Sequence, residues 1–202
     1  MTPKKIGQPG SVAAMDAAPV AAGRPRDAAL DDRITAAALL VLRARGPEGV
    51  TMEAVAEHAR CAKTSIYRRY RNSTEVLAAA LAGLAHAAPP VQAGGSPREQ
   101  LVGALEHFRS GVEHEVGLRT VAALLSDPGS DFARLMREQL LTPRLQVVVD
   151  LVRQAVQAGE LPARVVPHAL VYGMAGSYFA RMALVGHVDP SWAQETVDQL
   201  LR

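Results

Sequence analysis

The chain has 202 residues, enough for one or two domains with a buried core. Apolar residues make up 49% of it and aromatic residues only 4%, with Ala and Leu prominent, which favours helices over sheets. No apolar stretch reaches the roughly 18 to 20 residues that span a bilayer. Pro9, Gly10 and Pro19 interrupt the apolar run that a signal peptide would need. A single cysteine, Cys61, cannot form an internal disulfide, so we expect a cytoplasmic protein with no membrane partner.

The net charge of +2 is unevenly distributed along the chain. Residues 1–85 contain 12 Lys and Arg against 8 Asp and Glu, whereas residues 86–202 contain 10 against 12. The window 60–71 contains five basic residues and no acidic one. Such a local basic patch indicates a polyanion bound at one place, although a solvated helix face could have the same composition.

The chain begins with a segment of low complexity. Residues 1–22 are rich in Pro, Gly and Ala without periodicity, and they are predicted to form a disordered tail. The first helix is predicted over residues 27–45, where apolar residues recur at helical spacing and acidic residues precede basic ones. Gly46-Pro47 ends it.

Three shorter helices are predicted next. Thr51 is placed to cap a helix of about nine residues, and another helix is predicted over residues 63–70. A further helix over about 73–86 begins after Asn72, which lies three residues before Glu75. This spacing lets each of these two side chains cap the other's backbone N–H.

The second half of the chain is also predicted to be helical. Residues 88–97, APPVQAGGSP, form a Pro/Gly-rich linker and the expected domain boundary. Beyond it, helical patterns cover residues 97–114, 116–126, 130–157, 164–186 and 190–201. The sequence therefore predicts an all-α fold, with a helix-turn-helix domain over 23–87 and a larger helical domain over 88–202.

The two helices that follow Thr51 have the spacing of a helix-turn-helix, in which the second helix enters the DNA major groove. The pair needs an apolar inner face, and one is supplied by Val55, Ala56, Ala59, Cys61 and Ile66. Its outer face must offer donors to phosphates and base edges, which are present as Lys63, Thr64, Ser65, Tyr67, Arg68 and Arg69. A helical hairpin with a basic rim is the alternative interpretation.

Residues 51–77, TMEAVAEHARCAKTSIYRRYRNSTEVL, resemble the DNA-binding segment of the tetracycline-repressor (TetR) family of bacterial transcription regulators. Lys63 to Tyr67 resembles the family's K-G-T-L-Y, and the resemblance extends from Ile34 to Leu84. It implies roles in double-stranded DNA binding. Phosphate contacts are implied for Ser65 and Tyr67, groove contacts for Lys63 and Thr64, a phosphate or base contact for Arg69, and a cap with a phosphate contact for Thr51. A basic arm with Arg24 or Arg26 in the minor groove is implied as well.

Three positions depart from the family pattern. Ala62 stands where a capping Ser or Thr is common, so the recognition helix is expected to begin less firmly. Arg60-Cys61 replaces Gly-Val, so that Arg60 must either adopt a positive φ or avoid it. Ser73 replaces a lysine that often touches phosphate, a charge that the neighbouring arginines can supply.

Metal binding and catalysis have little support. His107 and His114 lie seven residues apart beside Glu106 and Glu113, but no third ligand follows at a fixed spacing. No nucleophile–base or phosphate-binding motif is present. We therefore predict no catalytic residues, no metal, no cofactor and no enzymatic activity.

The resemblance and the size of the second domain imply a ligand-responsive, homodimeric repressor. An unidentified, mainly apolar effector is expected between helices, lined by His107, Gly111, His114, Phe132, Met136, Leu140, Tyr172, Gly176 and Phe179. The dimer interface is predicted on the last two helices, at Gly173, Ser177, Tyr178, Met182, Trp192, Val197, Leu200 and Leu201. Alternatively, both the effector-lining and the dimer-interface residues can be interpreted as core packing. A helical protein–protein interaction module or a constitutive DNA-binding protein is the alternative function.

Overall fold

The computed structural model describes residues 28–87, 91 and 94–202. The predicted tail 1–22 and the two arginines of the predicted arm, Arg24 and Arg26, lie outside the described residues. Every regular element in the described part is helical, as the sequence predicts. The α-helices are α1 (Ala28–Arg45), α2 (Met52–Ala59), α3 (Lys63–Tyr67), α4 (Ser73–Ala87), α5 (Pro97–Ser110), α6 (Leu118–Ser126), α7 (Asp131–Met136), α8 (Thr142–Gln157), α9 (Pro167–Leu184) and α10 (Trp192–Leu201).

The first four helices pack around one apolar core. Helix α1 contacts both α2 and α4, and α2 contacts α3. Ile34 and Val41 of α1, Val55 of α2, Ile66 of α3 and Leu81 of α4 are fully buried in this core. The apolar stripe predicted for the first helix is therefore the surface that organises the domain.

The third helix is shorter than the predicted 63–70. Helix α3 ends at Tyr67, and the chain continues in tight turns whose N–H groups, from Arg69 and Tyr70, donate to the carbonyl oxygen of Ile66 at 2.8 and 2.9 Å. Ala62 precedes the helix in an extended conformation without a side-chain cap, as its identity predicts. A five-residue helix without a cap depends on tertiary packing for its position.

Only half of the predicted reciprocal cap of α4 forms. The Oδ1 atom of Asn72 accepts the N–H of Glu75 at 2.9 Å, as expected from the spacing. The Glu75 carboxylate instead accepts the N–H of Arg71 at 2.7 Å, and that arginine's Nε at 2.5 Å. The Glu75 carboxylate thus binds the backbone N–H one residue before the predicted one, and its ion pair with the Arg71 guanidinium adds to that hydrogen bond.

The predicted helix 130–157 is confirmed as a continuous helical segment over 131–157, but it is not α-helical throughout. Helix α7 ends at Met136, a π-helical turn covers Arg137–Leu141, and α8 begins at Thr142. Pro143 lies in the first turn of α8, where its missing N–H costs no hydrogen bond. A second π-helical turn, Gly111–Val116, follows α5 directly, so the helical segment predicted over 97–114 extends to Val116 with a change of helix type at Gly111.

The buried apolar residues form two cores. The first includes α1–α4 and also takes Val116, Met136 and Leu140 from the second half of the sequence. The second is formed by α5, α8, α9 and α10, with Tyr178 and Trp192 at its centre. Both π-helical turns therefore contribute to the first core as well as joining elements of the second half. Within the described residues, no helix is long and apolar enough to cross a membrane.

Arg60 ends α2 in the left-handed region, with φ 50° and ψ 51°. An L side chain in this region costs about 1–2 kcal/mol, a penalty that glycine avoids. We therefore predict that Arg60→Gly raises the free energy of unfolding by about 1 kcal/mol, measured by urea denaturation. Arg60→Ala removes the same side-chain atoms but keeps the strain, so equal stabilisation by both variants would contradict this explanation.

Candidate nucleic-acid interface

The turn between α2 and α3 is held from behind by α1. The Nη2 atom of Arg33 donates to the carbonyl oxygens of Ala59 and Arg60, at 2.5 and 3.0 Å. Ile66 of α3 is fully buried, and Cys61 packs against the same core. These contacts fix the angle between the two short helices, which a helix that enters a groove requires.

The outer face of α3 presents a compact set of polar groups. Lys63, Thr64, Tyr67 and Arg68 are exposed, and Tyr67 has 53% of its surface accessible. Ser65 is half-buried beside them. Within the described residues Arg68 forms no ion pair. This face offers one phenol, one hydroxyl and two cations to a polyanion.

Thr51 lies at the N-terminus of α2, on the edge of the same surface. Its side-chain oxygen accepts the N–H of Ala54 at 3.1 Å, which confirms the predicted cap. Thr51 is otherwise exposed, so a hydroxyl at a helix N-terminus is available where an anion is favoured by the helix dipole.

Lys63 already has a partner on α2. Its Nζ lies 2.6 Å from Oε1 of Glu53, and both side chains are more than half exposed. The hydrogen bond from Lys63 is the main cause that holds the pKa of Glu53 below its usual value. Because exposed ion pairs contribute little, Lys63 can exchange Glu53 for a base or a phosphate.

Arg69 differs from the other residues of the predicted set because it faces inward. Its Nε lies 2.6 Å from Oδ1 of Asp31 on α1, and its Nη1 donates to the carbonyl oxygen of Ser65 at 3.1 Å. Only 17% of the Arg69 side chain and 29% of that of Asp31 are exposed. Arg69 therefore ties the end of α3 to α1, a positioning role that the sequence did not indicate.

The structure does not bring the nine predicted effector residues together. Phe132, Met136 and Leu140 pack into the first core, and Phe179 packs into the second. Their separation follows from the π-helical turn, which directs the end of α7 toward α4. Of the other five, His107 lies on α5 and Gly111 directly follows the end of that helix. The remaining three, His114, Tyr172 and Gly176, are exposed.

The predicted dimer residues divide in a similar way. Tyr178, Trp192 and Val197 are fully buried within the protomer and belong to its own core rather than its surface. Their aromatic members pack edge to face, with ring centroids 5.6 Å apart, and Trp192 Nε1 donates to Ser177 Oγ at 3.1 Å. Gly173 lies against α10, where an added Cβ would be 3.5 Å from Leu200. Met182 and Leu201 are half-buried, whereas Leu200 is 42% exposed.

The exposed face of α9 lies opposite the face that packs into the protomer's own core. Tyr172 and Leu184 are 59% and 86% exposed. Between and beside them lie small exposed residues at helical spacing, Ala169, Gly176 and Ala180. The sequence placed some of these residues on the right helix but did not separate the inner from the outer face.

Two surface concavities involve residues of the first domain. One of about 200 Å³ opens between α1 and α2, and one of about 150 Å³ opens between the start of α4 and α7. Phe132 lines the second. Among the described residues, no group of three His, Cys, Asp or Glu side chains comes close enough to hold a metal ion.

Comparison with known families identifies the architecture. The model described as "Bacterial regulatory proteins, tetR family" matches residues 34–81. The model described as "Tetracyclin repressor-like, C-terminal domain" matches residues 91–200, more than half of the chain. The chain belongs to the tetracycline-repressor family. This confirms the resemblance seen in residues 51–77 and makes the protein a TetR-family transcriptional regulator, a class that binds DNA operators.

Relatives and solved structures agree with this assignment. The uncharacterised HTH-type transcriptional regulator YdeS of Bacillus subtilis (strain 168) is 27% identical over 179 residues, which cover 87% of this chain and 89% of YdeS. The regulator FadR from Bacillus subtilis, solved with stearoyl-CoA, has a TM-score of 0.64 at 13% identity, covering 84% and 97% of the two chains. AibR, solved with isovaleryl coenzyme A and operator DNA, has a TM-score of 0.58 at 19% identity, covering 85% and 98%. These two structural likenesses show the fold.

The half-buried Asp31–Arg69 pair predicts a measurable contribution to stability. Asp31→Asn leaves the Arg69 guanidinium with little solvent and no carboxylate, so the free energy of unfolding should fall by roughly 1–2 kcal/mol. Glu53→Gln removes the partner of an exposed pair and should leave stability essentially unchanged. Both are measured by urea denaturation at pH 7, and an equal effect of the two variants would refute the distinction.

Proposed function

We propose that this regulator is a repressor that binds a near-palindromic operator as a homodimer and is released by a small, mainly apolar ligand. The exposed face of α3, with Lys63, Thr64, Tyr67 and Arg68 on a rigidly held helix, is the observation that carries the DNA-binding part. Such a regulator acts where the chromosome lies, which in bacteria is the cytoplasm.

The groups on this face divide into two roles. Tyr67 and Arg68 project from the end of α3 and suit contacts with phosphate oxygens, which carry no sequence information directly. Lys63 and Thr64 lie at its N-terminal end, the part of a recognition helix that contacts base edges. Ser65 and Thr51 add hydroxyls at the border, while Arg69 supports the helix from within.

The proposed homodimer is supported by the outer stripe of α9. The exposed residues of α9 from Ala169 to Leu184 are all apolar or small, and exposed apolar patches are where protein–protein interfaces form. Tyr172 offers an aromatic anchor, and Gly176 and Ala180 allow a partner helix to approach closely. One short recognition helix contacts too few base pairs for genomic specificity, and a dimer supplies a second one.

The proposed apolar effector is supported by the ligands of proteins with the same fold. Two proteins of the same fold were solved with acyl-CoA ligands, stearoyl-CoA and isovaleryl-CoA, so a ligand with an apolar acyl portion is the class to test. A constitutive DNA-binding protein is the second candidate, favoured by the division of the predicted lining residues between two cores. A ligand can release DNA only by binding more tightly to a conformation whose recognition helices are wrongly spaced.

The DNA-binding proposal is tested on operators selected from a random duplex library. Arg68→Ala should lower affinity roughly tenfold or more for all sequences and reduce the slope of log K against log salt by about 2, because it removes one phosphate contact from each protomer of the dimer. Lys63→Ala should cost about 1–3 kcal/mol mainly at one base position. Arg119→Ala, an exposed arginine on α6, is the matched control. Unchanged affinity in a folded Tyr67→Ala, Arg68→Ala variant would refute the assignment.

The dimer proposal predicts that a charge on α9 separates the protomers. Ala180→Glu places a carboxylate in the apolar stripe, and it should convert a dimer into a monomer at micromolar concentration in sedimentation velocity. Ala163→Glu, at an exposed position between α8 and α9, should leave the dimer intact. A monomeric wild-type protein, or dimers in both variants, would contradict this interface.

A further inference from the structure

A buried polar cluster joins the two halves of the chain. Arg144 of α8 places its Nη1 2.9 Å from Oε2 of Glu115, which lies in the π-helical turn after α5. Its Nη2 donates to the carbonyl oxygen of Leu84 in α4, at 2.7 Å. One guanidinium therefore connects α8, the turn after α5 and the helix that leads to the DNA-binding domain.

Two polar atoms of this cluster are buried without a hydrogen-bond partner in the described part of the chain. They are the Nε2 atom of His107 and the Nε atom of Arg144. The Arg144 side chain is 15% exposed and that of Glu115 25%. Buried donors are normally paired, and unpaired ones concentrate where a ligand or water completes the site.

His107 is near enough to both charges for its pKa to respond to them. Burial is the main cause that lowers the pKa of its imidazole, and the positive charge of Arg144 lowers it further, while Glu115 raises it. The ring is therefore neutral at pH 7. In the tautomer protonated at Nε2, it offers one buried N–H donor, in addition to the unpaired Nε–H of Arg144.

Gly111 lets the backbone pack closely against the ion pair. Its φ of −58° is helical, so its backbone conformation does not require glycine. A Cβ at this position would lie 3.3 Å from Oε2 of Glu115 and 3.4 Å from Nη1 of Arg144. Gly103 on α5 differs, because a Cβ added there would have no other atom within 4 Å.

We propose that His107 and Arg144 form the polar end of the effector site, where their unpaired N–H groups hold an acceptor oxygen, a carboxylate or a carbonyl, of a mainly apolar ligand. The proposal rests on the ligand response put forward above. The bound oxygen competes with Glu115 and with the carbonyl of Leu84 for the guanidinium of Arg144. Binding therefore weakens the connection between α8 and α4, which is the route from this site to the recognition helix.

The test follows the His107 imidazole by NMR in the full-length protein during titration with octanoate and, separately, with octanamide. We expect saturable shifts of the His107 resonances. A response to octanoate alone identifies a carboxylate site, and a response to both identifies an oxygen acceptor of either charge. Arg144→Met and Gly111→Ala should weaken binding roughly tenfold or more, since a charge-assisted hydrogen bond is lost or crowded. Gly103→Ala should bind like the wild type.

The proposal is overturned if neither probe moves the His107 resonances, or if Arg144→Met and Gly111→Ala bind as tightly as Gly103→Ala. Should circular dichroism show that Arg144→Met is unfolded, Arg144→Lys replaces it, because lysine keeps the charge and loses the Nε–H. Operator binding is measured separately under the same conditions. Saturable, Arg144-dependent binding that leaves the operator bound supports the site and refutes release by this ligand class.

Discussion

Helix α4 packs against both halves of the chain at once, and the rest of the arrangement depends on this constraint. It closes the core with α1, and it also contacts α7 and the π-helical turn Arg137–Leu141, whose Met136 and Leu140 enter the same core. Arg144 adds a hydrogen bond to the carbonyl oxygen of Leu84 near the end of the helix. A displacement of the second domain therefore cannot leave α4 unaffected, because close-packed interfaces shift between discrete arrangements rather than deform smoothly.

The recognition helix takes its position from contacts that all begin on α1. Arg33 holds the turn before α3, and Asp31 holds Arg69 at its end. Ile66 fills the core between them. Because α3 has five residues and no side-chain cap, these contacts and not its own propensity orient the exposed groups of Lys63 and Arg68.

Sequence patterns predicted the helices of the first domain and the outer face of α3 because both depend on local periodicity. They did not reveal that Arg69 faces Asp31, since both residues have the composition of a solvated surface and meet only in the folded chain. The π-helical turns were missed for a similar reason. Nothing in the apolar pattern around Pro143 distinguishes a helix that is α-helical throughout from one with a π-helical turn before the proline. On α9, small and apolar residues occur on both faces, so the sequence pattern did not distinguish the face that packs into the core from the exposed one.

In the proposed dimer, two copies of α3 read successive major grooves on one side of a duplex. Hydroxyl-radical and methylation-interference footprints of the full-length protein on a selected operator test this arrangement most directly. We expect two symmetric sets of major-groove contacts about one helical turn, or a multiple of it, apart. A single unrepeated footprint, or uniform protection without base contacts, would contradict it.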